Sequence, residues 1–332
     1  MAHHNLRDGD AVVTTHGFVF YVFGYEHPRD RYHGVLKYVP EDHAPNFDLQ
    51  WLPVTWRMRG TTLLRPTELY SPQGYTRLVE AFRSHYPDYA VRSEQLDRWM
   101  ITIPRKLIAD VHTPSRQLML LKRRGPADTL EEKAVSLIEL ISEAAEIPQA
   151  YLGVHGSISL GTHHEGSDID LAVYGTTNFR RAKEALIQLE ARGSLGLKRG
   201  DRIDAKRLNR GVYRGVDFVV NATRRYSEMR TRPRTYRPMG PVEVECRCTS
   251  SRESVFRPAM YEVDGCRVSG GDRSLPDITE IVSMIGMFRD VVAEGEVIRA
   301  KGMLEEVEES GRTWLRVVVG AAHPGEYLDW TA

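Results

Sequence analysis

The sequence predicts an α+β protein of more than one domain. Three observations point there. The chain has 332 residues, enough for two or three domains at roughly 100–200 residues each. Hydrophobic residues make up 41%, which supports true cores, and charged residues 27%, the share of a soluble protein. Stretches with the two-residue period of strands are interleaved with stretches of helical period, and the last third reads mostly as strand.

The same composition excludes several classes. No apolar run approaches the roughly 20 residues that span a bilayer, and the N-terminus lacks a signal-peptide core. No membrane partner is expected. Three cysteines cannot build a disulfide framework, so a reducing cytoplasm is the expected location. Lys+Arg and Asp+Glu both number 45, which argues against a protein that coats nucleic acid along its whole surface.

Residues 1–125 read as an accessory α+β domain. Ala11–Thr14 and Phe18–Phe23 are strand-like about a Thr15-His16-Gly17 turn, and Val35–Val39 is a third strand stopped by Pro40. The intervening loop, Tyr25 to Tyr32, is dense in His, Arg and Tyr. Residues 41–50 read as polar loop. In Ser71–His85 the residues Tyr75, Leu78, Val79 and Phe82 recur at helical spacing. Leu96–Ile103 reads as a strand, followed by Pro104 and a short helix through Val111.

Gly125-Pro126 marks the next boundary, and residues 126–228 form the central domain. Thr129-Leu130-Glu131-Glu132 fits a capping box opening a helix. Leu130, Ala134, Leu137, Ile138 and Ile141 share one face of that helix. Phe179–Ala191 is a second helix, with Ala182, Leu186 and Leu189 at helical spacing. Between them runs the stretch that carries the chemistry, from Gly156 to Leu171. Strand-like residues flank it, Tyr151 to Val154 before and Leu171 to Tyr174 after. Side chains alternate along a strand, so Asp168 and Asp170 share one face while Ile169 and Leu171 face a core. Two adjacent carboxylates repel unless a cation lies between them, and hard oxygen ligands suit Mg²⁺. The Gly156-Ser157 turn, with Gly161 close behind, can bring N–H groups and a hydroxyl against phosphate oxygens.

These residues resemble the nucleotidyltransferase superfamily of the DNA polymerase β type. Its signature is a Gly-Ser turn, a short helical segment and Asp-x-Asp on the next strand. Gly156, Ser157, Asp168 and Asp170 fall on that pattern, and the resemblance covers about a fifth of the chain. Minimal members often carry Arg directly after Gly-Ser, where this chain has Ile158. The N-terminal segment is similar to those of uncharacterised archaeal proteins with this core. The resemblance implies two Mg²⁺ ions, a nucleoside triphosphate held by Gly156 and Ser157, and a third Asp on a neighbouring strand. Asp217 in Gly215–Asn221 is the candidate, and Asp204 the runner-up with neighbours less like a buried strand. Asp168, Asp170 and Asp217 would then be both the metal ligands and the catalytic carboxylates. His163-His164 reads as a surface pair in the same loop.

From Lys198 to Arg237 the chain has two Lys and eleven Arg against three Asp and one Glu. Arg and Tyr interleaved suit phosphate contacts and base stacking, so Arg230, Arg232, Arg234 and Arg237 are candidate contacts to RNA as acceptor. The alternative is a solvated basic linker. Residues 229–332 read as a β-rich, barrel-like domain. Val242–Cys248 and Ala259–Val263 are strands, Asp277–Arg289 a helix, and Val297–Leu304 with Thr313–Val319 a hairpin. Zinc is not expected, because Cys246, Cys248 and Cys266 lack a fourth ligand and Cys-x-x-Cys spacing. The activity read from the sequence is metal-dependent transfer of a nucleoside monophosphate to an acceptor hydroxyl. Two readings compete with it: an inactive core that binds RNA or protein, and an enzyme that nucleotidylates a protein or a small molecule.

Overall fold

A computed structural model describes residues 5–69, 71–93, 98–230, 232–269, 278–320 and 325–331. The N-terminal part is a sheet with a helix on one face. Its strands are Ala11–Thr14 (β1), Val19–Val22 (β2), Arg31–Pro40 (β3), Trp56–Met58 (β4) and Thr61–Leu64 (β5). After the helix Pro72–His85 (α1) come Ala90–Ser93 (β6), Arg98–Pro104 (β7) and Ile108–His112 (β8). The sheet runs β4-β5-β3-β2-β1-β8, with β7 also on β3 and β6 on β7. Helix α1 starts at an N-cap, Ser71 Oγ accepting from Gly74 N at 2.9 Å. It buries Leu78 and Phe82 against Phe18, Phe20 and Tyr89 on one face of the sheet. The alternate residues Ala11, Val13, Val19 and Tyr38 emerge on the opposite face with Trp56 and Leu63.

The central part opens with Pro114–Arg124 (α2) and Thr129–Ala144 (α3). Then follow Leu152–Val154 (β9), Gly156–Leu160 (α4), Ile169–Tyr174 (β10), Thr176–Ala191 (α5) and Gly196–Leu197 (β11). Arg202–Arg207 (α6), Arg210–Tyr213 (β12) and Val216–Thr223 (β13) complete it. Its sheet has the order β11-β12-β13-β10-β9, and β10 lies parallel to β13. Ile169, Leu171, Val173, Phe218, Val220 and Ala222 form the buried face under α2, α3 and α5. Leu118 and Leu121 of α2 belong to this core, although they precede Gly125-Pro126.

The C-terminal part is a small barrel. Its strands are Thr235–Ser250 (β14), Ala259–Val268 (β15), Ile278–Ser283 (β16), Val297–Glu309 (β17) and Arg312–Val319 (β18), with Tyr327–Thr331 (β19) added to β17. The order β14-β15-β16-β18-β17 closes because β17 pairs back onto β14. Strands β16 and β18 are parallel.

Several expectations need correction. Residues 278–283 are a strand and not part of a helix. Ile281 faces the barrel core while Val282 packs outside with Met260 and Val318, so both faces are buried and the period is lost. Residue 277 lies outside the described residues, as do 96 and 97 of the strand expected there. The short helix expected after Pro104 is one 3-10 turn, Arg105–Leu107, followed by β8, which pairs with β1. There the tertiary pairing overrides local preference. Arg31 and Tyr32 belong to β3 and not to the loop, and a 3-10 turn, Glu41–Asn46, occupies the stretch read as polar loop. The cap of α3 sits one residue earlier than expected: Asp128 Oδ1 accepts from Glu131 N at 3.0 Å, and Glu131 accepts from Ala127 N at 2.7 Å. The hairpin strand expected to end at Leu304 runs on to Glu309 as β17, with the turn at Ser310 and Gly311. Cys246 and Cys266 are joined by a disulfide between β14 and β15, so cysteine usage does not argue for a reducing compartment. Among the described residues no helix is long and apolar enough to cross a membrane.

Candidate active site

The site is built on β9, α4 and β10. His155 N donates to Asp170 O at 2.8 Å, which draws the turn before α4 against the start of β10. Gly156 has φ of +62°, and a Cβ there would lie 1.9 Å from Asp170 Oδ2. Only glycine allows backbone and carboxylate this close. Ser157 is half-buried in the first turn of α4, and Ser157 O accepts from Thr162 N at 2.9 Å, which fixes the returning loop. Ile158 is 6% exposed and belongs to the core under α3 and α5. A charged side chain could not reach phosphate from that position.

Asp168 and Asp170 leave β10 on the face opposite Ile169 and Leu171, as the alternation requires. Asp168 is exposed and Asp170 half-buried. The Asp170 carboxyl is pushed up to about 7, first by burial and then by the charge of Asp168. Lys37 and Arg65 pull it the other way. Two carboxylates that resist being ionised together suit a divalent cation, which would relieve the repulsion.

Asp217 precedes Phe218, which pairs with Ile169, so Asp217 lies level with Asp168 on the adjacent strand. Its carboxylate is exposed and meets Lys198 Nζ at 2.6 Å. Asp204 lies in the first turn of α6, is 8% exposed, and pairs with Arg210 at 3.3 Å. It is remote in kind from the carboxylate face, since its role is within the helix.

The basic segment is mostly engaged within the molecule. The Arg234 side chain is 6% exposed, pairs with Glu309 at 2.9 Å and Glu280 at 3.9 Å, and lies over Trp314. Arg237 pairs with Glu306 at 2.9 Å, and Arg202 with Asp329 at 2.5 Å. Arg224 pairs with Glu253 at 2.9 Å, and Lys206 with Glu296. Arg230 points at Met260 Sδ, and Arg232 is exposed. The segment therefore fastens the central domain to the barrel. Glutamates of β16 and β17 supply much of the opposite charge.

Sequence reasoning missed the groups that other domains bring to the site. Leu160 of α4 packs into the N-terminal patch of Val13, Val19, Trp56 and Leu63. His112 Nδ1 of β8 lies 3.1 Å from Ser159 O. Tyr21 stacks on His155 with ring centres 4.7 Å apart. Burial, then the charges of Lys37, Arg289 and Arg257, lower His155 to about 4, which keeps its ring neutral at pH 7. Arg289 donates to Asn221 Oδ1 at 2.9 Å on the carboxylate face of β13. No local signal ties these residues to Asp168. A second cluster, Asp128, Glu131 and His163, has ligand atoms within 4.8 Å of one another. His163 Nε2 meets Asp128 at 2.7 Å, so this histidine latches the active-site loop to α3 and is not a surface residue.

The family model for polymerase beta, nucleotidyltransferase, matches residues 136–214. An uncharacterised protein of Methanocaldococcus jannaschii is 28% identical over 350 aligned positions, covering 97% of this chain and 98% of that one. No solved structure matches. The matched residues 136–214 hold the Gly156 turn and both Asp168 and Asp170, so the part of the chain that carries the candidate site is similar to polymerase β nucleotidyltransferases.

Proposed function

We propose that the chain is a metal-dependent nucleotidyltransferase. It would transfer a nucleoside monophosphate from a nucleoside triphosphate to an acceptor hydroxyl. The observation that carries this reading is the placement of Asp168 and Asp170 on one strand face, with Gly156 packed against Asp170. Asp168 and Asp170 would hold Mg²⁺, with Asp217 as the third ligand after its carboxylate leaves Lys198. The bound ions would supply charge neutralisation at the phosphates and lower the pKa of the acceptor hydroxyl. The protein's own part is positional. Gly156 and Ser157 bring the α4 turn close to the carboxylates, and the latch between His163 and Asp128 keeps the loop ahead of Asp168 in place. An ionised Asp170 or Asp217 would accept the acceptor's proton.

With Arg234 and Arg237 paired to glutamates, the basic segment gives RNA less support than its composition promised. RNA is therefore one acceptor class among several to be assayed, beside protein and small molecules. The purified chain is incubated with each labelled nucleoside triphosphate, Mg²⁺ and total cell extract, and the labelled fraction is identified. Label in RNA, protein or a small molecule names the acceptor class. Absence of label in every fraction, with intact wild-type fold, refutes the transferase reading.

A further inference from the structure

We infer that the triphosphate is held by cations from the two flanking domains: Lys37 and Arg65 from the N-terminal sheet and Arg257 from the barrel. This rests on the nucleotidyltransferase reading above and names the residues that take the place of an arginine after Gly-Ser.

Lys37 faces the site from β3. Val19 pairs with Tyr38 and Phe20 with Leu36, so Lys37 is the extra residue of a bulge, a feature that recurs beside active sites. Val35, two residues before it, pairs with Tyr21, so alternation puts Lys37 on the Tyr21 face. The ammonium lies over the Tyr21 and Tyr38 rings, 5.7 and 5.8 Å from their centres. Both tyrosines belong to the sheet face that packs on α4, and Tyr21 stacks on His155, the residue before Gly156. Lys37 thus feels the charges of Asp168 and Asp170 directly. Arg65, just past β5, feels Asp170 and Lys37. Arg257 follows β14 in the connection to β15, and its guanidinium stacks 4.9 Å from the Phe23 ring of the N-terminal domain. It too lies within the field of Lys37.

Lys37 and Arg65 therefore act on the carboxylate pair, while Arg257 lies beside Lys37 and also acts on Asp8; among the described residues none of the three forms an ion pair. Arg65 Nε and Arg257 Nε are buried without a hydrogen-bond partner. Charges brought together out of water without counterions are costly. Asp168 and Asp170 offset that cost only while they hold no metal. Once a divalent cation neutralises them, the cluster calls for an anion of several charges. A triphosphate chain bridging Lys37, Arg65 and Arg257 meets that requirement, whereas a monophosphate reaches one or two of them. Sequence position hides the arrangement, because Lys37 lies in β3, Arg65 and Arg257 lie on connections, and the three belong to two domains.

The test uses the full-length chain and Mg²⁺-tripolyphosphate, a probe independent of the base. Binding is measured by calorimetry for the wild type, Lys37→Met, Arg65→Gln, Arg257→Gln and Lys37→Arg, each checked for native circular dichroism. Mg²⁺-AMP is titrated in parallel. The inference expects wild-type binding of tripolyphosphate and a loss of about tenfold for each neutral variant, whereas AMP should lose affinity in one or two of the variants at most and be changed less than about twofold in the rest. Lys37→Arg should recover most of the affinity. A merely structural role would weaken both probes alike. Equal tripolyphosphate binding by the wild type and Lys37→Met overturns the inference and leaves the transferase reading standing. So does nucleotide transfer by a wild type that binds no tripolyphosphate. The expected losses, in a chain that transfers no nucleotide, would support the anion site and refute the transferase reading.

Discussion

Replacing Asp170 by Asn should stabilise the metal-free protein, and more so as the pH rises. The Asp170 carboxyl sits near 7 in the folded chain against an ordinary 3.8, because burial and Asp168 disfavour its charge. An acid whose pKa is raised by folding binds more protons folded than unfolded. Its contribution to stability is therefore complete below the unfolded value and is lost as pH rises through the folded one. Between pH 4 and 7 the wild type should lose stability at this position. At about 1.4 kcal/mol per unit, a shift of this size corresponds to roughly 4 kcal/mol. Water at the half-exposed rim screens part of it, so about 2 kcal/mol is expected. Asn carries no charge and escapes the loss. The assay is thermal melting of both proteins in chelator at pH 5, 6, 7 and 8. Asp10, also raised to about 7 by burial, gives a background slope common to both. The difference in Tm should be small at pH 5, grow through pH 6 and 7, and level off at a few degrees in favour of the variant by pH 8. Saturating Mg²⁺ should abolish or invert it, because a cation favours the ionised carboxylate. Parallel curves across the range would refute the account of Asp170.

Other changes test separate parts of the site. Gly156→Ala places a Cβ against Asp170 Oδ2 at a positive φ, so it should cost about 1–3 kcal/mol in melting or denaturant titration and lower any turnover at least tenfold. Asp217→Ala should reduce turnover with little change in Tm, since its carboxylate is exposed, while Asp204→Ala should lower Tm and spare turnover, since it is buried in α6; the reverse pattern would mean the third carboxylate is misassigned. Arg234→Ser leaves Glu280 and Glu309 without their cation beside Trp314 and should destabilise the barrel by about 1–3 kcal/mol, read by urea denaturation; an unchanged midpoint would free this arginine for another role.

Much of the central domain was legible in the sequence because its signals are local. The alternation around Ile169 and Leu171 put both carboxylates on one face, and Gly156-Ser157 marked the turn; that Gly156 also makes room for Asp170 came only with the structure. Helix α1 showed its apolar face in Tyr75, Leu78, Val79 and Phe82, while its Ser71 cap came only with the structure. The errors came where burial erased periodicity, as in β16, or where a distant strand imposed pairing, as β1 does on β8. The basic run misled for a different reason. Composition gives charge but not its partners, and the glutamates that engage Arg234 and Arg237 stand about 70 residues away in β17. Lys37 was invisible because nothing local to β3 shows that the carboxylates of another domain face it. The Tyr25–Tyr32 stretch is dense in His, Arg and Tyr, but its Arg31 is tied to Asp30 at 2.8 Å, and the cation that acts on Asp170 comes from further along β3.

The central claim is that Asp168 and Asp170 make this chain a metal-dependent nucleotidyltransferase. The most direct measurement is pyrophosphate release from each nucleoside triphosphate in the presence of cell extract, with Mg²⁺ or with chelator. It is made for the wild type and for Asp168→Asn and Asp170→Asn. The account predicts release by the wild type only with Mg²⁺, and a loss of at least a hundredfold in both variants while their fold is retained, about 3 kcal/mol of transition-state stabilisation. Release that persists in chelator, or that survives in both variants near the wild-type rate, would contradict it.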